Sequence, residues 1–219
     1  PRSVVDEWIR AARDARTFTA AGDWGEVEGV IGMAPATAAA KVFGRVPAAG
    51  VPTVALIAPP PPGLEQSEEA THAEDALASG LLRAGVHVGR ARHWRLAQPA
   101  DLDPQAWIDA VAQTLEAAVA AVPQAQPALE GAWLSGAACA LVAARRDDLA
   151  FLVLAAAPVP EVMSRRTSEN EDDPAWSESP TLRLVDALSP LSPLQAITAQ
   201  ARPVLLVQGA CDESLPVAH

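Results

Sequence analysis

The chain has 219 residues, 50% of them hydrophobic and 20% charged, with a formal net charge of −11. That is the balance of a folded chain with one core rather than of a disordered or fibrous one. The acidic excess argues against nucleic acid and anionic membrane surfaces as partners, because both require clustered Lys and Arg. Arg90, Arg92 and Arg95 are a local exception and read as a solvated strand end.

No uninterrupted apolar stretch reaches the ~18 residues of a spanning helix, and Pro1 to Trp8 lacks a signal peptide's apolar region. The expected localisation is the cytoplasm. Cys139 and Cys211 make neither a disulfide framework nor a metal-ligand set, which permits a reducing compartment.

The first element predicted is a helix, since Val4, Val5, Trp8, Ile9 and Ala12 recur at helical spacing and Gly22 can end the pattern. Two short apolar runs follow, Val30 to Met33 and Ala38 to Phe43, as in a β-hairpin or edge strands. Residues 1–50 are therefore expected to form an N-terminal helix with edge strands, and 51–219 the core.

In the core, short apolar runs alternate with helical stretches, the composition of strands covered on both faces by helices. Val51 to Ala58 is the first such strand, stopped by four prolines at Pro59 to Pro62 and then Gly63. A helix from about Glu68 to Arg83 and a strand from Val86 to Ala91 come next. Asp103-Pro104 has the order of a helix N-cap followed by proline at the first helical position, opening a helix to about Val122.

Leu129 to Leu134 reads as a strand, Gly136 to Arg146 as a helix, Phe151 to Ala157 and Val204 to Gly209 as further strands. With right-handed crossovers this is an α/β fold with a doubly wound, mostly parallel sheet. Pro158 to Pro190, with the acidic run Glu169 to Asp173, interrupts the alternation and is expected to be a lid-like insertion or a plain solvated loop.

A serine at the junction of a strand and a helix is the setting of a nucleophile elbow, and Ser135 follows the run Gly131-Ala132-Trp133-Leu134 and precedes a helix of small residues. Here the chain resembles the α/β-hydrolase superfamily, particularly dienelactone hydrolases and serine esterases or peptidases, from about Val51 onward. Trp133-Leu134-Ser135-Gly136-Ala137-Ala138 is similar to the family's Gly-x-Ser-x-Gly-Gly, with Ala for both following glycines and Trp for the preceding one. Pro203 to Pro216 resembles its acid-bearing segment, a strand, Gly, two residues, Asp, then Pro.

The resemblance implies Ser135 as nucleophile and Asp212 as the acid that orients histidine. It also implies an oxyanion-hole donor in the N–H of Gly136. Where the family carries His-Gly this chain has Pro59 and Pro60, for which Gly63 or Leu64 are candidate substitutes, and Trp133 is a candidate pocket residue. The family's histidine follows a further strand beyond the acid, and His219 lies too near Asp212 to serve. His93, after the strand Val86 to Ala91, is the remaining candidate base; its bland reading is an exposed loop histidine, while His72 and His87 are expected to be structural or solvated.

Two functional readings stand. The first is a serine hydrolase of esters or peptides with Ser135 as nucleophile, Asp212 as acid and its base in further C-terminal sequence; the second is a catalytically inactive relative that binds or scaffolds, favoured together by Trp133, the prolines and the missing histidine. A third, a generic doubly wound sheet with some other ligand site, has no Gly-rich phosphate loop behind it. No cofactor and no metal are expected. The strand Val204 to Gly209 would lie at a sheet edge, and pairing between two copies there is expected to give a homo-oligomer.

Overall fold

The computed structural model describes residues 14–34, 51–61, 68–96, 103–157, 180–198 and 202–207. In chain order these form β1 (Arg16–Gly22), β2 (Gly25–Gly32), β3 (Thr53–Ile57), α1 (Glu68–Arg83), β4 (His87–Leu96), α2 (Pro104–Ala120) and β5 (Gln126–Ala132). Then come α3 (Leu134–Ala143), β6 (Leu152–Ala155), α4 (Pro180–Leu188), a 3-10 turn (Ser189–Leu191), α5 (Pro193–Thr198) and β7 (Val204–Val207).

The strands make one seven-stranded sheet in the order β1-β2-β4-β3-β5-β6-β7. From β4 to β7 every pairing is parallel, while β1 and β2 form an antiparallel hairpin that joins the sheet antiparallel to β4. The expected doubly wound, mostly parallel sheet is what the chain builds. Chain order steps from β3 to β4 on one side, then crosses back to β5 on the other. The strand order therefore reverses between β3 and β5, and in open α/β sheets ligands sit beyond the strand C-termini at such a point.

Each face of the sheet has its own core. On one, α2 and α3 bury Trp107, Ile108, Leu115, Leu134, Ala138 and Val142 against Val54, Leu56 and Leu129. On the other, α1 buries Ala78, Leu81 and Leu82 against Ala55, Ile57, Val88 and Val153. Burial on both faces explains why β3, five residues long and buried throughout, reads in the sequence as a continuous apolar run. The Asp103 side chain accepts from the N–H of Gln105 and Pro104 opens α2, the cap expected there.

The N-terminal hairpin differs from expectation. Arg16 to Gly22 is a strand, not the tail of a helix: Phe18 and Ala20 point into the core while Thr17 and Thr19 face out, an alternation of period two. Gly25, at φ 131°, lets the chain reverse after Asp23-Trp24 so that β1 can pair with β2. The predicted helix from Val4 to Ala12 and the run Ala38 to Phe43 lie outside the described residues. Within the predicted insertion, residues 180–188 form α4, whose Leu184, Val185 and Leu188 are buried in the core; 158–179 lie outside the described residues. Among the described residues, no helix is long and apolar enough to cross a membrane.

β4 also runs further than expected, to Leu96 instead of Ala91. His87 lies in it and accepts, through Nδ1, the N–H of Ala34 at 2.9 Å. Burial, then the nearby Arg16 charge, hold its pKa below the ordinary histidine value, so it stays neutral and fastens the end of β2.

Candidate active site

The connection from β5 to α3 is a single residue on the C-terminal side of the sheet. β5 ends at Ala132 and α3 begins at Leu134, so Trp133 alone carries the reversal, at φ 50° and ψ −129°. Its N–H still donates to Ala155 O of β6 at 2.9 Å, and its carbonyl accepts from Gly136 N–H at 2.9 Å, closing the first turn of α3. A positive φ at a bulky residue is strained by about 1–3 kcal/mol and persists only where the surroundings enforce it.

Two glycines enforce it here. A Cβ on Gly131 would lie 2.7 Å from the backbone of Ser135 and Gly136, and one on Gly136 would lie 2.4 Å from Cβ of Ala157. The helix start thus rests directly on β5 and on the end of β6. Gly136→Ala is expected to lower stability by about 2 kcal/mol, read in thermal unfolding as a fall in Tm of roughly 4–8 °C.

Ser135 does not stand in this turn. It is the second residue of α3, 2% exposed, and its hydroxyl donates to Pro59 O at 2.9 Å. The expectation of a serine hydroxyl exposed above the sheet is met in neither place nor exposure. The reason is the helix: once α3 starts at Leu134, Ser135 faces the loop after β3 and ties it down. Trp133, expected in the pocket, is the turn residue and is 38% exposed.

Counted from Gly131, the run Gly131-Ala132-Trp133-Leu134-Ser135 has the spacing of Gly-x-Ser-x-Gly, in which the middle position is the strained strand-to-helix turn. On that register Trp133 occupies the nucleophile's position and Ser135 the second glycine's. The signal was present in the sequence as Gly131, four residues before Ser135.

The other expected site residues divide as follows. Pro59, Pro60 and Pro61 follow β3 as expected, and Gly136 lies in the first turn of α3, its N–H engaged by Trp133 O. His93 is within β4, its backbone opposite Glu28 of β2, and not in a loop beyond the strand, because the hairpin extends the pairing of β4. Gly63, Leu64, Asp212 and His219 lie outside the described residues.

Sequence reasoning passed over Glu130, the residue before Gly131. It is fully buried on β5, and among the described residues neither carboxylate oxygen has a hydrogen-bond partner. Burial, then the nearby Glu74 charge, push its pKa up to about 8 against a smaller opposing pull from Arg90, so the acid is neutral at pH 7. Its backbone carbonyl accepts from Ala58 N–H at 2.9 Å and from Cys139 Sγ at 3.5 Å. The signal for it was one carboxyl inside an otherwise apolar run. Among the described residues no cluster of His, Cys, Asp and Glu is arranged to hold a metal ion.

No protein-family model matches the sequence, and no curated protein matches it. Solved structures do. An α/β serine hydrolase without a lid from Xanthomonas campestris superposes with a TM-score of 0.57 at 15% identity, over 92% of this chain and 74% of that one. An esterase from Pyrococcus furiosus gives 0.59 at 14% identity, over 99% and 76%. The acylaminoacyl peptidase of Pyrococcus horikoshii gives 0.58 at 14% identity over 93% of this chain, which spans 33% of that longer protein. With the sheet order, the elbow between β5 and α3 and these superpositions, the chain has a divergent form of the α/β-hydrolase fold.

Proposed function

We propose that this chain is a non-hydrolysing relative of the α/β serine hydrolases that uses the fold for binding, its ligand seated in the crevice between Trp133 and Pro59 to Pro61. The observation that carries this reading is the indole of Trp133 in the turn between β5 and α3. Indole offers no nucleophile, whereas acyl transfer needs a hydroxyl or thiol at that place.

Two further features support it. Ser135 is buried, its hydroxyl donated to Pro59 O, and among the described residues no histidine meets it. Pro59 and Pro60 carry no N–H, and the loss of one oxyanion donor typically costs about two to three orders of magnitude in rate. Trp133 and Pro59 to Pro61 follow the C-terminal ends of β5 and β3, at the reversal of strand order, where this class of sheet binds ligands. The exposed indole of Trp133, with the half-buried Pro60, suits an apolar or aromatic group, for which the indole offers a stacking face.

The competing reading, ester or peptide hydrolysis by Ser135 with Asp212 as acid, requires the Ser135 hydroxyl to leave Pro59 and reach the surface. Turnover of p-nitrophenyl butyrate separates them. The chain is expected to match its Ser135→Ala variant; turnover present in the wild type and lost in the variant would overturn the binding reading.

For assembly we retain pairing of two copies along β7. Among the described residues β7 is an edge strand, and its Leu206 and Val207 are exposed, a surface that invites strand pairing. Size-exclusion chromatography over a tenfold concentration range is expected to show a dimer; monomer throughout contradicts it.

A further inference from the structure

We propose that Glu130 is a proton-operated switch that decides which carboxylate Arg90 serves, and thereby how firmly α1 is held to the sheet. Ile57 of β3 pairs with Arg90 of β4 on one side and Glu130 of β5 on the other, so the two polar residues flank Ile57 at the same level of the sheet. Alternation puts both on the face covered by α1, the face of Ala55, Val88, Ala128 and Val153.

From α1 above them, Asp75 meets Arg90 Nη1 at 2.5 Å and Glu74 meets Arg90 Nη2 at 3.8 Å. This ion pair ties α1 to β4. The charged groups acting on Glu130 among the described residues are Glu74 of α1 and Arg90 of β4; Asp75 of α1 stands on Arg90, and Cys139 of α3 lies on the other face of the sheet, its Sγ donating to the Glu130 carbonyl. β3 and β6 present Ile57 and Val153 beside it, both apolar. One guanidinium therefore faces three carboxyl groups, and while Glu130 is protonated Arg90 is committed to α1.

When the proton leaves Glu130 for solvent, a buried carboxylate with no hydrogen-bond partner is left two strands from Arg90. Burying an unpaired charge is far more expensive than loosening a partly exposed ion pair. Arg90 turns to Glu130, its close ion pair with Asp75 is given up, and α1 loosens. The sign follows from linkage. Glu130 binds its proton more tightly with α1 closed than with α1 loosened, so loosening grows as pH rises from the ordinary carboxylate range to about 8 and levels off above it.

Hydrogen exchange of the full chain, corrected for intrinsic rates, tests the switch without any ligand. Amides of α1 are expected to exchange up to about tenfold faster per pH unit between pH 5 and 8, reaching a plateau above, with no such slope in α3. Glu130→Gln, which mimics the neutral acid, is expected to abolish the slope. Asp75→Asn, which frees Arg90 for Glu130, is expected to move the plateau to lower pH. The proposal is overturned if Glu130→Gln keeps the slope, if α3 shares it equally, or if Asp75→Asn leaves the plateau in place.

Discussion

Glu130→Leu is expected to stabilise the protein at neutral pH, an unusual outcome for a substitution at a fully buried position. The native chain must take up a proton at Glu130 to fold at pH 7, because the carboxyl titrates near 4.5 when free and at about 8 in the fold. At about 1.4 kcal/mol per pKa unit, that uptake costs about 3 kcal/mol at pH 7 and about 5 kcal/mol at pH 8 and above. Leucine has similar volume, needs no proton and suits the apolar surroundings of Ile57, Ala128 and Val153.

The sign can be checked at both ends. The folded-state pKa is raised, so the native carboxyl carries its full stability below pH 4.5 and loses it as pH rises towards 8. Denaturant unfolding should therefore show wild type and variant nearly equal at pH 4 and diverging up to pH 8, with a Tm gap on the order of 10 °C at pH 7. A variant less stable than wild type at pH 8 would mean that attraction to Arg90 outweighs the cost of burying the carboxylate.

The second large expected effect is chemical. A serine hydrolase with a working elbow reacts with an organophosphorus probe at its nucleophile, and removing that nucleophile abolishes the reaction. Here the elbow residue is Trp133, and Ser135, 2% exposed, donates its hydroxyl to Pro59 O. Ser135→Ala is therefore expected to change stability and not reactivity. It removes a buried hydrogen bond and leaves the Pro59 carbonyl unpaired, a loss of about 1–2 kcal/mol in denaturant unfolding.

The contrast between what the sequence reveals and what it conceals follows from the kind of signal each feature leaves. β3, β5 and β6 are buried on both faces and so appear as apolar runs; α2 announces itself through Asp103 and Pro104. β1 is quieter, because Phe18 and Ala20 alternate with threonines over only a few residues and the strand depends on its hairpin partner. The elbow was misplaced for a related reason. Apart from Glu130 the run from Leu129 to Leu134 is apolar, so hydropathy says that a strand is there and not where it ends. The turn was assigned to Ser135, the first residue able to do chemistry, while Gly131 marks the register that puts it at Trp133.

Glu130 illustrates the opposite limit. Its carboxyl is visible in the sequence, but an acid within a strand gives no sign of which face it takes or whether a cation waits there. Only the register Arg90-Ile57-Glu130 and the placement of Glu74 and Asp75 on α1 turn it from an anomaly into a neutral buried acid.

The measurement that bears most directly on the binding reading is fluorophosphonate labelling of the folded chain, followed by peptide mass spectrometry, with Ser135→Ala beside it. The account predicts no adduct at any serine in either protein while thermal unfolding shows both to be folded. An adduct on Ser135, absent from the alanine variant, would show an activated nucleophile where the account places a buried structural hydroxyl, and would return the chain to the serine hydrolases.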